Sequence, residues 1–294
     1  MVIGDAHAGT IQVFNESLTL VRTLNAHNST ITRLKQLLNR NLASSSADFT
    51  VKIWRTTDWT VNRTYFNHTN IVYALESIDN ATIASGSADQ TIHIWDINTG
   101  KTKQILNASS EVTCLQLLSP SRVTLLLSGQ ADGSIKIWDL TMGDLVTEKL
   151  YHSSRVTDLV LINDDLLASS SWDKKILIWN LTTQNVMYTL TGHTDKVTSL
   201  KMLSSTLIAS GSIDNTSKIW DLNIHNSTFT LKSHTNFIMS SVDLFTDGIL
   251  MTGSLDRTIK FWDQSTGYLC ESTNVSMQIN ALIMIGSGRV FILL

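Results

Sequence analysis

Ser85-Gly86-Ser87-Ala88-Asp89-Gln90-Thr91-Ile92-His93-Ile94-Trp95 reads as a tight polar turn running into a short apolar strand, and the chain repeats that phrase. The strand segments are VKIW ending at Trp54, IHIW at Trp95, IKIW at Trp138, ILIW at Trp179, SKIW at Trp220 and IKFW at Trp262, at intervals of 41, 43, 41, 41 and 42 residues. A weaker copy, IQVF ending at Phe14, lies 40 residues before Trp54, so seven copies are expected. A fixed period of this length decides the architecture before any detail of secondary structure does.

Working outward from the repeat, residues 91–95 alternate, residues 197–203 form another short strand pattern, and Gly, Ser, Asp and Asn clusters punctuate each copy. No stretch carries apolar residues at the three-and-four spacing of a helix. Each copy is therefore about four short strands joined by turns. Four-stranded sheets in series leave edges that a closed ring removes, which predicts an all-β, seven-bladed propeller of four-stranded antiparallel sheets. Residues 279–285 and 289–294 resemble the first two strands of a copy and residues 9–14 and 18–24 the last two, so one sheet is expected to combine both ends.

At 294 residues the chain is long enough to bury about 75% of the surface of its unfolded state, and 1–294 is read as one domain. Cys114 and Cys270 are read as buried thiols, since a disulfide framework needs more cysteines in a shorter chain. Net charge is −3 from 22 basic and 25 acidic residues without a block of like sign, which argues against nucleic acid as a partner. No apolar run is long enough to span a bilayer, so no membrane insertion is expected, and residues 1–10 lack the features of a secretory leader.

The chain resembles the WD40-repeat β-propeller family over its whole length. The resemblance rests on four positions per copy: His27, Ser44, Asp48, Trp54; His68, Ser85, Asp89, Trp95; His152, Ser169, Asp173, Trp179; His193, Ser210, Asp214, Trp220; and His234, Thr252, Asp256, Trp262. The resemblance implies that these side chains form a buried hydrogen-bond relay from Trp through Ser or Thr and His to Asp. A buried indole N–H needs an acceptor, and imidazole donates and accepts at once. The Trp138 copy keeps Ser128 and Asp132 but has Ala108 in place of His, and a longer first hairpin with Pro120. The Phe14 copy has Val275, Gly4 and Ala8 at the other three positions and lacks the relay.

Two sharper readings of the same residues fail. The histidines recur once per copy, so as metal ligands they would be spread around the ring, and neither a metal nor any other cofactor is expected. The Ser-His-Asp sets lack an exposed nucleophile and an oxyanion hole, and no other constellation supports an enzyme with a site in the central channel. Ten Asn-x-Ser/Thr sequons, at Asn15, Asn28, Asn62, Asn67, Asn80, Asn107, Asn180, Asn215, Asn226 and Asn274, support an alternative, an extracellular or lumenal N-glycosylated domain of a larger protein. The first reading is cytoplasmic.

The resemblance places partner contacts on one end of the ring, at the residue before the turn Asp and at the residue three after the relay His. The first series runs Ala47, Ala88, Ala131, Trp172, Ile213, Leu255, and the second Thr30, Ile71, Glu111, Arg155, Lys196, Phe237. Two residues beyond the second series, Tyr73 and Met239 add apolar bulk. Trp172, Ile213, Leu255, Phe237 and Met239, flanked by Arg155 and Lys196, have the composition of an interface hot spot. The first hairpins resemble those of substrate-recognition propellers in ubiquitin-ligase adaptors; a phosphopeptide reader would need several arginines here, and only Arg155 is present. The expected function is a monomeric, non-enzymatic scaffold for a protein or peptide.

Overall fold

A strand apolar at every position must be covered on both faces, and that requirement arranges the molecule. In the computed structural model, which describes residues 9–15, 18–118, 124–238, 242–246, 248–285 and 290–293, the described elements are 28 strands in four-stranded antiparallel sheets. The Trp54 sheet shows the pattern: β3 (Ile31–Gln36), β4 (Leu42–Ser46), β5 (Val51–Trp54) and β6 (Val61–Tyr65) lie side by side in chain order. β4 is buried along its whole length, whereas β6 alternates, because only one of its neighbours is a strand.

The first strands line the ring axis in succession: β3, β7 (Val72–Ser77), β11 (Val112–Leu118), β15 (Val156–Leu161), β19 (Val197–Met202) and β23 (Val242–Thr246). The core lies in the seams between sheets. Val51, Ile53 and Tyr65 of the first blade pack with Leu75, Ile83 and Trp95 of the second, and the other seams repeat this arrangement. Burying each such side chain stabilises the fold by about 1.5–3 kcal/mol.

The expected count of seven blades needs correction. Six blades are each built from four consecutive strands and carry the repeat. The Phe14 copy is a composite sheet in the order β2 (Leu20–Asn25), β1 (Thr10–Phe14), β28 (Val290–Leu293), β27 (Leu282–Ile285). Its register sets Gln12 opposite Leu293 and Phe14 opposite Phe291, and β27 packs on both β23 and β3. Phe14 is buried, and its phenyl ring has no indole N–H to feed a relay. Gly4, Ala8 and Pro120 lie outside the described residues. Cys114 is buried as expected, but Cys270 is exposed, because its strand is an outermost one.

Each turn Asp is followed by a residue with left-handed backbone: Phe49, Gln90, Lys174, Asn215 and Arg257 at φ between 65° and 72°, and Gly133 at 93°. The Asp carboxylate makes these turns affordable by accepting the N–H two residues on, as Asp48 does from Thr50 at 3.0 Å. Only at Gly133 is glycine itself required, since a Cβ there would lie 2.2 Å from the His152 carbonyl oxygen.

Candidate functional site

The relay is built by three elements of each blade: the loop before the first strand holds His, the second strand holds Ser or Thr, and the turn after it holds Asp. Nε2 of His27, His68, His152, His193 and His234 lies 2.7–2.8 Å from its hydroxyl partner, and Nδ1 lies 2.8–3.0 Å from its carboxylate. Each Nδ1–H donates to Asp, which leaves Nε2 to accept from the hydroxyl. Burial pushes the Asp48, Asp89, Asp214 and Asp256 carboxyls up, but hydrogen bonds from His and Thr outweigh it and hold them well below the usual carboxylate range. For His27, burial wins and lowers its pKa.

Not every expected relay closes. Trp54, Trp138, Trp220 and Trp262 donate to their hydroxyls at 2.8–2.9 Å, but the indole N–H groups of Trp95 and Trp179 have no partner. In those two blades a tyrosine stacks on the indole, Tyr65 at 4.3 Å from Trp95 and Tyr151 at 4.7 Å from Trp179. Asp132 also falls outside a relay: with no His to meet, it is exposed and bonds Ser134. The missing imidazole is replaced by Gln130, fully buried, whose side-chain oxygen accepts from Ser128 at 3.0 Å while its nitrogen donates to the Ala108 and Ser110 carbonyls. That orientation leaves the Ser128 hydroxyl donating, as in the histidine blades. Gln130 comes from the second strand and not from the loop that holds His, so the repeat pattern did not mark it.

The two expected contact series lie side by side, joined pair by pair through the backbone. Trp172 N–H donates to the Arg155 carbonyl, Ile213 to Lys196 and Leu255 to Phe237, each at 3.0 Å, and Ala47, Ala88 and Ala131 pair in the same way with Thr30, Ile71 and Glu111. Trp172 is 39% exposed and Phe237 41%, while Ile213, Leu255, Arg155 and Lys196 are half-buried. Met239 lies outside the described residues. Cations stack through the group: Lys196 Nζ sits 4.0 Å from the Trp172 ring centre and the Arg155 guanidinium 5.5 Å from it. Arg155 also lies 4.4 Å from Tyr73, across a blade whose turn residue is only Ala131, and is tied to Glu111 at 2.8 Å.

Beside this group opens the mouth of the central channel. Thr32, Thr113, Thr157 and Thr198 occupy the position five after the relay His, or its Ala108 equivalent, and each sits at a bulge in its first strand that turns the side chain toward the next blade. Their hydroxyls donate to the next blade's backbone: Thr113 to Val156 at 2.5 Å, Thr157 to Val197 at 2.9 Å, Thr32 to Val72 and Thr198 to Ile238. Deeper in the channel Arg33 meets Asp158 at 2.9 Å, a pair 125 residues apart in the chain.

Residues 69–293 match the family described as "Nucleolar protein 10-like, N-terminal domain", and residues 18–55 match "WD domain, G-beta repeat". The chain belongs to the WD40-repeat β-propellers. A crystal structure of the computationally designed Ika8 protein is similar at 28% identity, with a TM-score of 0.77, over 99% of this chain and 92% of that one. No curated protein matches significantly. Propellers of this family generally mediate protein interactions, and this one shows no helix long and apolar enough to cross a membrane among the described residues.

One departure within this WD40 ring gathers potential metal ligands: His68, Asp89 and His93 place ligand atoms within 4.8 Å of one another. Both His68 nitrogens already bond Asp89 and Ser85, and His93 Nδ1 lies 3.0 Å from the Tyr65 hydroxyl. The cluster is a hydrogen-bonded part of the fold, and a metal would have to break the relay to bind.

Proposed function

We propose that this WD40 propeller is a non-enzymatic scaffold that takes a protein or peptide partner on the ring end bearing Trp172 and Phe237. The observation that carries the reading is exposure: every relay tryptophan is buried, whereas Trp172 stands 39% exposed at a blade tip with two cations against its ring. A large aromatic fixed before binding loses little entropy when a partner covers it. Ile213, Leu255, Arg155, Lys196 and Phe237 continue the surface, and Met239 belongs to the same series. The composite sheet acts as the seventh blade of a closed, monomeric ring, as the packing of β27 on β3 and β23 supports.

The test is capture from native extract by wild type, by Trp172→Ala with Phe237→Ala, and by Tyr268→Ala. Tyr268 is exposed and outside the proposed surface, whereas Trp59 packs on the core and makes a poor control. The double variant is expected to melt as wild type and to bind at least thirtyfold more weakly, about 2 kcal/mol, as for a central anchor. Normal melting with every partner recovered would overturn the reading.

An intracellular, nuclear setting is favoured over the glycoprotein alternative, on the nucleolar name of the matched family. Sequon geometry agrees at two positions: Asn215 sits in a left-handed turn with its side-chain oxygen buried, and Asn180 accepts the Thr183 N–H. Expression through a secretory pathway, followed by enzymatic deglycosylation, distinguishes the two; a folded product bearing glycans at most sequons would favour the alternative.

A further inference from the structure

The channel mouth is a cavity of about 320 Å³ whose wall holds two guanidinium groups, Arg33 and Arg155, and no carboxylate. The acids that balance these arginines face away from it. Asp158 accepts from Arg33 and Leu159 on one oxygen and from Leu200 on the other, with its side chain 5% exposed, so it has nothing left to offer. Glu111 engages one end of Arg155 from outside the cavity wall. Arg33 uses one N–H group in this way and keeps 30% of its side chain exposed. Among the described residues neither arginine makes a second hydrogen bond, so each has donors free toward the cavity.

The threonines around the mouth do not compete for an anion, because their hydroxyl hydrogens are spent on the next blade's carbonyls. Arg155 is also held in place, between the Tyr73 ring and Glu111. A fixed fork of guanidinium donors matches the planar geometry of a carboxylate.

We infer that this cavity binds the side-chain carboxylate of an acidic residue in the partner, bridged between Arg33 and Arg155, while Trp172 covers the apolar residue beside it. The inference rests on the proposed partner-binding end and names the chemistry of what enters it. The occupant is an internal Glu or Asp, because the exposed rim continues past the mouth from Trp172 to Phe237, and a segment crossing it presents side chains to the axis.

The probe is the capped peptide acetyl-Ala-Leu-Glu-Leu-Ala-amide, titrated while the arginine Nε–Hε signals are followed by NMR. Two controls accompany it: the same peptide with Gln for Glu, and the Gln peptide with a free C-terminal carboxylate. The Glu peptide is expected to shift the Arg33 and Arg155 signals and to bind at least tenfold more tightly than either control. Arg155→Met is expected to cost at least tenfold; so is Arg33→Met combined with Asp158→Leu, which leaves no unpaired buried carboxylate should the single Arg33 variant fail to fold. Equal binding of the Glu and Gln peptides, no shift at either arginine, tighter binding of the free-terminus control, or unchanged affinity in the Arg155 variant would each overturn the inference. If capture of native partners fails with the Trp172 and Phe237 substitutions but survives both arginine variants, the rim stands and the carboxylate pocket falls; the converse pattern removes the rim and keeps the pocket.

Discussion

His93 stands two residues before its tryptophan, where other blades carry Lys52, Lys136, Lys218 and Lys260. Lys136, Lys218 and Lys260 reach hydroxyls of Ser109, Thr230 and Ser272 with their amines; the shorter imidazole lies against the His68 ring at 4.2 Å with its Nδ1 on Tyr65. Burial first, then the neighbouring His68, lowers its pKa from 6.5 to about 4, with Asp89 pulling weakly the other way. The unfolded chain therefore takes a proton near pH 6.5 that the folded chain refuses until about pH 4, and stability falls as pH drops through that window. His27, also lowered, adds to the same slope. The relay carboxylates, held below their ordinary 3.8, keep their contribution throughout this window and lose it only in stronger acid. Urea midpoints measured between pH 7 and pH 4.5 should fall for wild type and fall distinctly less for His93→Gln; identical slopes would mean that His93 titrates as it does in the unfolded chain.

A blade's stability depends on how its tryptophan is satisfied, and two solutions coexist in one ring. In the Trp220 blade the indole donates to Ser210 at 2.8 Å, while in the Trp95 blade a stacked tyrosine replaces that bond and leaves the N–H unpaired. Trp220→Phe therefore removes a hydrogen bond as well as volume and should cost about 1–3 kcal/mol more than Trp95→Phe, which removes volume and one unpaired donor. Equal losses in urea unfolding would show that the indole bond contributes nothing net. The relay was readable because its four members keep their spacing to within one residue, so each blade states its own pattern. What that pattern could not express is substitution from elsewhere: Gln130 fills the place of an imidazole from the second strand, and Tyr65 changes a tryptophan that belongs to the next blade. The threonines at the channel mouth were similarly hidden, because their role comes from a bulge that aims them across a seam.

For the whole molecule, the propeller was legible from periodicity, since the six repeat blades share one pattern, while the composite sheet announced itself only as a weak copy. The channel was not: Arg33 and Asp158 meet across 125 residues, and no local pattern joins them. The proposed partner-binding end was half legible. Its residues were identified in two series, but the backbone bonds that fuse those series into one set, and the cations that hold Trp172, required the fold. Joining the two ends of the chain in one sheet has a consequence for how the protein is made. Strand β1, with Ile11, Val13 and Phe14 destined for burial, leaves the ribosome long before β28, the strand that flanks it. At cellular elongation rates of about 5–20 residues per second, the nascent chain carries that apolar strand without its partner for roughly 15 to 60 s. The pairing of Gln12 with Leu293 cannot begin until Leu293 has been made.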